Sequence, residues 1–155
     1  MTGVDASAAR ARSARESCAF NLPPTFEGVR AAVSEAARIA SAGALPCDLV
    51  EDLKLVLSEA LNNVVEHAYA GDAPDGEAIA IAMELGERGL TLTIRDRGRP
   101  MPDGLPKPEL PSIPAQTEAL PEGGFGWSLI HLICTDVTYR RDGDENVLRL
   151  SLGPR

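Results

Sequence analysis

The sequence predicts a single α/β domain in which helices pack against β-hairpins. Two stretches in the first half of the chain repeat apolar residues at helical spacing, and two later stretches alternate apolar with small or polar residues. The chain has 155 residues, and a chain of that length can bury roughly 68–70% of its unfolded surface. These observations favour one domain with one core.

The composition is that of an ordinary globular protein, with 44% apolar and 25% charged residues. A net charge of −8 argues against sequence-independent binding to nucleic acid or to an anionic membrane surface. No stretch approaches the ~18 apolar residues of a membrane-spanning helix. Cys18, Cys47 and Cys134 are odd in number and far apart, which favours reduced thiols in the cytoplasm over disulfides or a zinc site.

The first elements follow a short tail. Residues 1–16 are rich in Ala, Ser and Arg and lack the apolar core of a secretory signal, so we expect a disordered tail before one domain over residues 17–155. Residues 17–22 are predicted to form an edge strand. The first helix follows, and Thr25 fits its N-cap while Gly43 fits its C′ position.

The second helix has the strongest periodicity in the chain. Asp48 and Glu51 have the spacing of a capping box, and Gly71 fits the end of the helix. Six apolar residues between them form one continuous stripe that we expect to face the core. They are Leu49, Leu53, Val56, Leu57, Ala60 and Val64.

Two β-hairpins and a third helix complete the prediction. The strands are predicted at residues 79–85, 90–94, 137–141 and 147–152. Residues 98–123 contain seven of the twelve prolines and little hydrophobic periodicity, which is typical of a functional lid or of disorder. A helix is predicted over about 125–134, between this stretch and the second hairpin.

The second helix also carries polar residues beside its apolar stripe. Glu59, Asn63 and His67 are spaced by four and share one face, with Glu59 and Asn63 at the margin of the stripe and His67 inside it. A carboxylate and an amide at a core margin lose hydration unless a polar group meets them, and hydrated Mg²⁺ with phosphates would do so. A solvated helix edge is the alternative. His67 taken alone is typical of a packed, hydrogen-bonded histidine.

A second polar segment lies at the end of the strand before the lid. A buried carboxylate at Asp96 could accept a hydrogen bond from the exocyclic amine of adenine, and Gly98 would let the backbone approach the ring without a Cβ. An ordinary β-turn is the alternative, because Asp and Gly favour turns for conformational reasons.

A third segment, Gly123–Gly126, precedes the third helix. Its N–H groups and the positive end of the helix dipole would attract phosphate. It lacks the Gly-Lys-Ser/Thr of a P-loop and the βαβ unit of a dinucleotide fold, and a flexible hinge is the alternative. Phe125, Trp127 and Leu129 favour packing over ligand contact. Taken together and in this order, the three segments predict a site for magnesium, adenine and a polyphosphate, which is an ATP site.

The three segments resemble motifs of the ATPase superfamily that includes gyrase-type topoisomerases, histidine kinases, mismatch-repair ATPases and Hsp-type chaperones, known as the GHKL or Bergerat fold. Within it, the chain is most similar to the small bacterial anti-sigma factor serine/threonine kinases. The resemblance covers about residues 17–152. It rests on Ser58–Tyr69 as the asparagine box, Ile94–Gly98 as the first glycine box, and Gly123–Ile130 with Asp136–Tyr139 as the second.

This resemblance implies a two-layer α/β sandwich with a mixed, mainly antiparallel sheet and helices packed on one face. It implies ATP and Mg²⁺ as cofactors, with Asn63 as the metal ligand and Glu59 as the catalytic residue that orients or deprotonates the attacking hydroxyl. Asp96 would select adenine, and residues from about 101 to 122 would form the ATP lid. The implied nucleotide-binding residues are Asn63, His67, Asp96, Gly98, Gly123, Gly124, Phe125 and Gly126.

Two features depart from the family pattern. The first glycine box usually continues to another glycine, where this chain has Pro100, and a proline stiffens the start of the lid. The lid also holds a single Lys or Arg, which is Lys107. Arg97 and Arg99 flank the first glycine box and are candidates for neutralising the γ-phosphate.

The resemblance further implies a cytoplasmic kinase that phosphorylates a serine on an anti-sigma factor antagonist of the STAS type and that sequesters a sigma factor. Similar kinases form homodimers, and neither nucleic acid nor membrane is an implied partner. Two alternatives remain, namely an ATP-binding interaction module without phosphotransfer and a detached catalytic domain of a histidine kinase. The sequence shows no upstream helix pair with a phosphoacceptor histidine, which counts against the second alternative.

Overall fold

The computed structural model describes residues 16–107 and 125–154. The elements in chain order are β1 (Glu16–Leu22), α1 (Phe26–Ala42), α2 (Cys47–Asn63), a π-helical turn (Val64–Ala68), β2 (Ile79–Leu85), β3 (Leu90–Asp96), α3 (Phe125–Ile133), β4 (Asp136–Asp142) and β5 (Glu145–Leu152). The predicted tail before Glu16, Gly123, Gly124 and the lid beyond Lys107 lie outside the described residues.

The five strands form one sheet in the order β1-β2-β3-β5-β4. Each neighbouring pair is antiparallel, so the sheet is antiparallel throughout the described strands rather than mixed. β1 lies at one edge, which confirms the predicted edge strand. Alternate residues of β2 and β3 are buried, so only one face of the sheet meets the helices and the predicted two-layer sandwich is confirmed.

The core lies between α2 and the sheet. Leu53, Leu57 and Leu61 of α2 have no exposed surface, and Met83 and Leu92 of the sheet are equally buried. Burying such side chains contributes about 1.5–3 kcal/mol each. The apolar stripe predicted for α2 is therefore confirmed as the centre of the core. Because α1 and α3 both pack on α2, this helix fixes the position of the other two.

The two ends of α1 differ in how well they follow the prediction. Thr25 caps the N-terminus, with its Oγ1 accepting a hydrogen bond from the N–H of Gly28 at 3.0 Å, as predicted. The prediction that Gly43 occupies C′ is wrong by one residue. Gly43 has an ordinary φ of −76°, whereas Ala44 has a left-handed φ of 57°. The N–H groups of Ala44 and Leu45 donate back into the helix, which makes Ala44 the C′ residue of a Schellman motif.

The predicted capping box at the start of α2 is also wrong. The N-cap residue is Pro46, which has extended backbone angles and no side-chain hydrogen bond to the helix. Asp48 lies inside the first turn, where its Oδ1 accepts from the N–H of Leu49 at 3.0 Å. Glu51 pairs with Lys54 on the exposed face. The helix begins one residue before Asp48, so this side chain cannot reach the position of a cap.

The remaining predicted elements are confirmed with small shifts at their ends. The first hairpin consists of β2 and β3, and α3 occupies the position predicted for the third helix. The second hairpin turns at Gly143, whose φ of 62° is the left-handed conformation that glycine adopts most readily. No helix among residues 16–107 and 125–154 is long and apolar enough to cross a membrane.

Candidate functional site

The structure brings Glu59, Asn63 and Gly126 together where α2 meets the first turn of α3. A Cβ added at Gly126 would lie 2.5 Å from Oε2 of Glu59 and 3.8 Å from Nδ2 of Asn63. The first distance is shorter than any Cβ contact, so the carboxylate of Glu59 occupies space that a side chain at residue 126 would need. Gly126 therefore leaves room for the carboxylate of Glu59 in its present position.

The side chain of Asn63 supplies an unsatisfied polar atom at this point. Its Nδ2 is buried and makes no hydrogen bond within residues 16–107 and 125–154, and no other side-chain nitrogen or oxygen there is left in this condition. A buried donor without a partner costs about 1–3 kcal/mol. A 180° flip of the amide would present Oδ1 in the same place. Such an atom is expected where a bound ligand completes the hydrogen bonding or the metal coordination.

His67 does not lie inside the apolar stripe, and that part of the prediction is wrong. The chain leaves the α-helical geometry after Asn63 and continues as the π-helical turn over Val64–Ala68. A π turn holds more residues per turn than an α turn, so the spacing of four no longer keeps one face beyond Asn63. His67 is consequently exposed rather than packed, and its ring borders the cavity described next.

A cavity of about 780 Å³ lies beside the junction of α2 and α3. This volume is within the range of small-molecule and cofactor sites. Its walls come from the end of α2, the π-helical turn, the start of the lid, α3 and β5. The polar and aromatic residues of its lining are Asn63, Glu66, His67, Arg99, Asp103, Lys107, Trp127 and Asn146. The cavity therefore joins the asparagine box to the second glycine box, and it borders the start of the lid just after the first glycine box.

Asp96 ends β3 as a buried carboxylate, with 5% of its surface exposed. Its Oδ1 accepts hydrogen bonds from the N–H of Gly98 at 2.9 Å and from Nδ2 of Asn146 at 2.8 Å. Burial raises the pKa of Asp96 above its usual value, while these two bonds and the charge of Arg141 act in the opposite direction. Asp96 does not line the cavity as defined here, but its hydrogen-bonded neighbour Asn146 does.

Gly98 is required for a reason that differs from the expectation. A Cβ added there would lie 2.6 Å from the Cβ of Ala68 and 2.7 Å from its carbonyl carbon. The N–H of the next residue, Arg99, donates to the carbonyl oxygen of Ala68 at 2.8 Å. The glycine thus allows the end of β3 to pack against the π-helical turn. Its contact with adenine stays a prediction.

The aromatic residues of the second glycine box behave differently from one another. Phe125 is 45% exposed, so the packing predicted from the residues alone is wrong for it. Trp127 packs against the core, as predicted, and it also borders the cavity. Its ring lies 6.4 Å from that of His131, whose Nε2 is 2.8 Å from the carbonyl oxygen of Pro106. Gly123 and Gly124 are outside the described residues.

Within the described residues, two basic side chains, Arg99 and Lys107, border the cavity together with the His67 imidazole, whereas Arg97 does not. Of the two arginines proposed to neutralise phosphate charge, the structure therefore favours Arg99. Among residues 16–107 and 125–154, no group of three or more His, Cys, Asp and Glu side chains could hold a metal. A metal bound with Asn63 would thus need oxygen ligands from the nucleotide and from water, which is the usual mode of Mg²⁺.

The sequence motifs include Tyr139, at the end of the second glycine box, but not Asn146 or Arg141, and they give none of the three a role. The three residues sit on the second hairpin, where β5 pairs with β3 in the register that puts Asn146 opposite Asp96. For Asn146 and Arg141 the only signal in the sequence is a polar residue beside a predicted turn. Register between strands separated by the lid, α3 and β4 cannot be read from local patterns.

Comparison with known proteins agrees with this geometry. The family model of the histidine kinase-like ATPase domain matches residues 22–152. Serine-protein kinase RsbW of Bacillus thuringiensis (strain Al Hakam) is 33% identical over 135 residues, which cover 86% of this chain and 82% of the relative. Serine-protein kinase RsbW of Bacillus anthracis (strain A0248) matches with the same identity and coverage.

A solved structure gives the same fold at lower identity. It contains the RsbU and RsbW domains of Rv1364c from Mycobacterium tuberculosis, with a TM-score of 0.60 and 16% identity. The match covers 90% of this chain and 33% of that longer chain, so it bears on the fold alone. From the family model and the RsbW relatives together, the chain belongs to the histidine kinase-like ATPase domain family, in the group of anti-sigma kinases of the GHKL superfamily.

Proposed function

We propose that this chain is a Mg-ATP-dependent protein serine/threonine kinase that phosphorylates an anti-sigma factor antagonist and sequesters a sigma factor. The observation that carries the proposal is the junction of Glu59, Asn63 and Gly126, where an unsatisfied amide and a carboxylate meet beside a cavity of about 780 Å³. The name of the RsbW relatives, serine-protein kinase, supports the same activity.

In this proposal the nucleotide lies between Asn63 and the cavity wall that contains Asn146, the hydrogen-bonded neighbour of Asp96. Adenine lies at that wall, where the carboxylate of Asp96 accepts a hydrogen bond from the exocyclic amine. The phosphates lie towards Asn63, and the positive charges of Arg99 and Lys107, which also line the cavity, offset theirs. When bound with the nucleotide, Mg²⁺ supplies further neutralisation of charge on the phosphate oxygens. Asn63 is the side chain that would hold it, since its buried amide has no other partner among the described residues.

Glu59 acts on the attacking hydroxyl. The serine Oγ of the antagonist bonds to the γ-phosphorus while the bond to the β–γ bridging oxygen breaks, and ADP leaves with that electron pair. Glu59 orients the hydroxyl and receives its proton. The absence of a Cβ at Gly126 leaves this position open to the carboxylate of Glu59, and transfer depends on such positioning of the reacting groups.

The partners proposed are a STAS-type antagonist and a sigma factor, in the cytoplasm, with a homodimer of this chain as the assembly. A phosphoserine adds close to two negative charges, and this chain carries a net charge of −8. Phosphorylation would therefore weaken docking of the antagonist and release the kinase for the sigma factor. An interaction module that binds ATP without transfer is the second candidate, favoured by Pro100 at the start of the lid.

Radiolabelled ATP separates the two candidates. The purified chain is incubated with Mg²⁺, γ-labelled ATP and a STAS-type antagonist encoded beside its gene, together with the variant Glu59→Gln. We expect label on the antagonist with the wild type, and a rate lower by about 10²–10⁴-fold with Glu59→Gln at unchanged ADP affinity. ADP binding without transfer by the wild type would establish the interaction module instead. Full transfer by Glu59→Gln would refute the role of Glu59.

A further inference from the structure

Asn146 is buried, with 4% of its surface exposed, and its side chain takes part in five hydrogen bonds. Its Nδ2 donates to Oδ1 of Asp96 at 2.8 Å, to the carbonyl oxygen of Arg99 at 3.1 Å and to that of Gly98 at 3.4 Å. Its Oδ1 accepts from the hydroxyl of Tyr139 at 2.7 Å and from Nη1 of Arg141 at 2.8 Å. Both amide hydrogens and both lone pairs are therefore in use.

The same two neighbours hold the backbone where the lid begins. The hydroxyl of Tyr139 accepts from the N–H of Met101 at 3.0 Å, and Nη1 of Arg141 donates to the carbonyl oxygen of Gly98 at 2.9 Å. With Asn146 bonded to the carbonyl of Arg99, three side chains of the β4–β5 hairpin fix residues 98–101. We call these three side chains the hairpin clamp. The clamp joins the carboxylate of Asp96 to the first residues of the lid.

The hydrogen bonds to Asp96 involve only one of its two carboxylate oxygens. Both donors, the N–H of Gly98 and Nδ2 of Asn146, go to Oδ1, and Oδ2 has no hydrogen bond within the described residues. Two bonds to one oxygen fix the rotation of the carboxylate and leave the other oxygen as the acceptor for a ligand. Asn146 itself is saturated, so it cannot read a base without giving up an existing bond. Its effect on a ligand must pass through Asp96.

We propose that Asn146 is a positioning residue for adenine recognition, which holds Asp96 with Oδ2 available to the exocyclic amine and couples that carboxylate to the start of the lid. The inference rests on the proposed function, because it requires an adenine nucleotide in the cavity. It adds a residue that neither the asparagine box nor the glycine boxes contain. It also makes the orientation of Asp96, rather than its charge alone, the source of base preference.

The test compares ADP with inosine diphosphate (IDP), which carries a carbonyl oxygen in place of the exocyclic amine. Calorimetry with Mg²⁺ gives both dissociation constants for the wild type, Asn146→Ala and the near-isosteric Asn146→Leu. We expect the wild type to prefer ADP, and both variants to lose about tenfold of that preference through weaker ADP binding. Asn146→Leu keeps the volume and adds no charge beside Asp96, so it serves if Asn146→Ala does not fold. Ser151→Ala, on the same hairpin but outside the clamp, should keep the wild-type ratio.

Hydrogen exchange tests the coupling to the lid. Asn146→Ala and Tyr139→Phe both loosen the clamp, so the Met101 amide should exchange about tenfold faster in each than in the wild type and in Ser151→Ala. Unchanged exchange at Met101 in both variants would overturn the coupling.

The outcomes for nucleotide binding separate this inference from the proposed function. If the wild type prefers ADP and the Asn146 variants keep the preference, or lose ADP and IDP affinity in equal proportion, Asn146 does not position Asp96 and the inference fails alone. If the wild type binds neither nucleotide, the proposed function fails and the inference fails with it.

Discussion

At Asp96, the requirements of nucleotide binding and of folding stability are opposed. Its carboxylate is buried, and burial raises its pKa even though two hydrogen bonds and the charge of Arg141 favour ionisation. A raised pKa means that folding favours the protonated form. The stability from this group is therefore complete below the unfolded-state pKa near 3.8 and is lost as pH rises through the folded-state value. Folding therefore opposes ionisation of the Asp96 carboxyl group.

Replacing this carboxylate should therefore stabilise the protein while removing its preference for adenine. For Asp96→Asn we expect the free energy of unfolding at pH 7 to rise on the order of 1 kcal/mol, because an amide avoids the cost of burying a charge. The gain should shrink as pH is lowered toward 3.8. Urea unfolding over this pH range measures it, and calorimetry with ADP measures the loss of binding. A destabilised variant at pH 7 would contradict the pKa assignment.

Gly126 is a second residue whose role depends on one distance. In Gly126→Ala the new Cβ would meet Oε2 of Glu59 at 2.5 Å, so the carboxylate must move. We expect phosphotransfer to fall by about 10²-fold, the cost of displacing a catalytic group by about 1 Å, while the protein stays folded. The measurement is the transfer assay with labelled ATP.

Gly86→Ala is the matched control, since a Cβ there meets nothing closer than 3.4 Å and lies outside the site. Equal rates for Gly126→Ala and Gly86→Ala would show that contact with Gly126 does not set the position of Glu59.

Among the elements, the π-helical turn does most to shape the site. It follows α2 directly, exposes His67, and ends at Ala68, against which the backbone of Gly98 packs. Single π turns are rare and occur frequently at functional sites. The sequence over Val64–Ala68 is compatible with a regular α-helix, so periodicity alone could not predict it. The contact of Ala68 with Gly98 and Arg99 is tertiary and favours this local geometry.

The end of α1 holds alanine at a position where the backbone conformation favours glycine. Ala44 adopts a left-handed φ of 57°, which costs a residue with a Cβ about 1–2 kcal/mol, whereas Gly43 has a φ that any residue adopts. We therefore expect Ala44→Gly to raise the free energy of unfolding by about 0.5–1 kcal/mol after the entropy cost of glycine. Gly43→Ala should be tolerated, since the nearest atoms to its Cβ lie at 3.5 Å or more.

Urea unfolding of the two variants tests this register of the Schellman motif. If Gly43→Ala lost 1 kcal/mol or more and Ala44→Gly gained nothing, the motif would instead be centred on Gly43, as the sequence predicted.

In the whole molecule, sheet topology explains how distant segments converge. β5 pairs with β3 although the lid, α3 and β4 separate them in the sequence. That pairing places Asn146 opposite Asp96, while packing of α3 on α2 places Gly126 beside Glu59. The surroundings of Asp96 and of Glu59 are thus built by two separate long-range contacts. Each could be lost without the other, which is why base preference and phosphotransfer should respond to different substitutions.

The helices, the strands and three polar segments could be predicted from the sequence because each has a local signature, namely a period of 3.6, a period of two, or a cluster of acid, amide and glycine residues. What could not be predicted depends on contacts between elements. The exposure of His67 follows from a π turn, the start of α2 from Pro46, and the role of Asn146 from strand register. None of these leaves a pattern in neighbouring residues.

We expect the asparagine box and both glycine boxes to hold one magnesium-bound adenine nucleotide. Calorimetric titration of the full chain with ADP, with and without Mg²⁺, measures this binding in the wild type and in Asn63→Ala. The titration should show one ADP per chain, with an affinity that depends on Mg²⁺ in the wild type and not in Asn63→Ala, whose fold is retained. Absence of binding at millimolar ADP, or the same dependence on Mg²⁺ in both proteins, would contradict it.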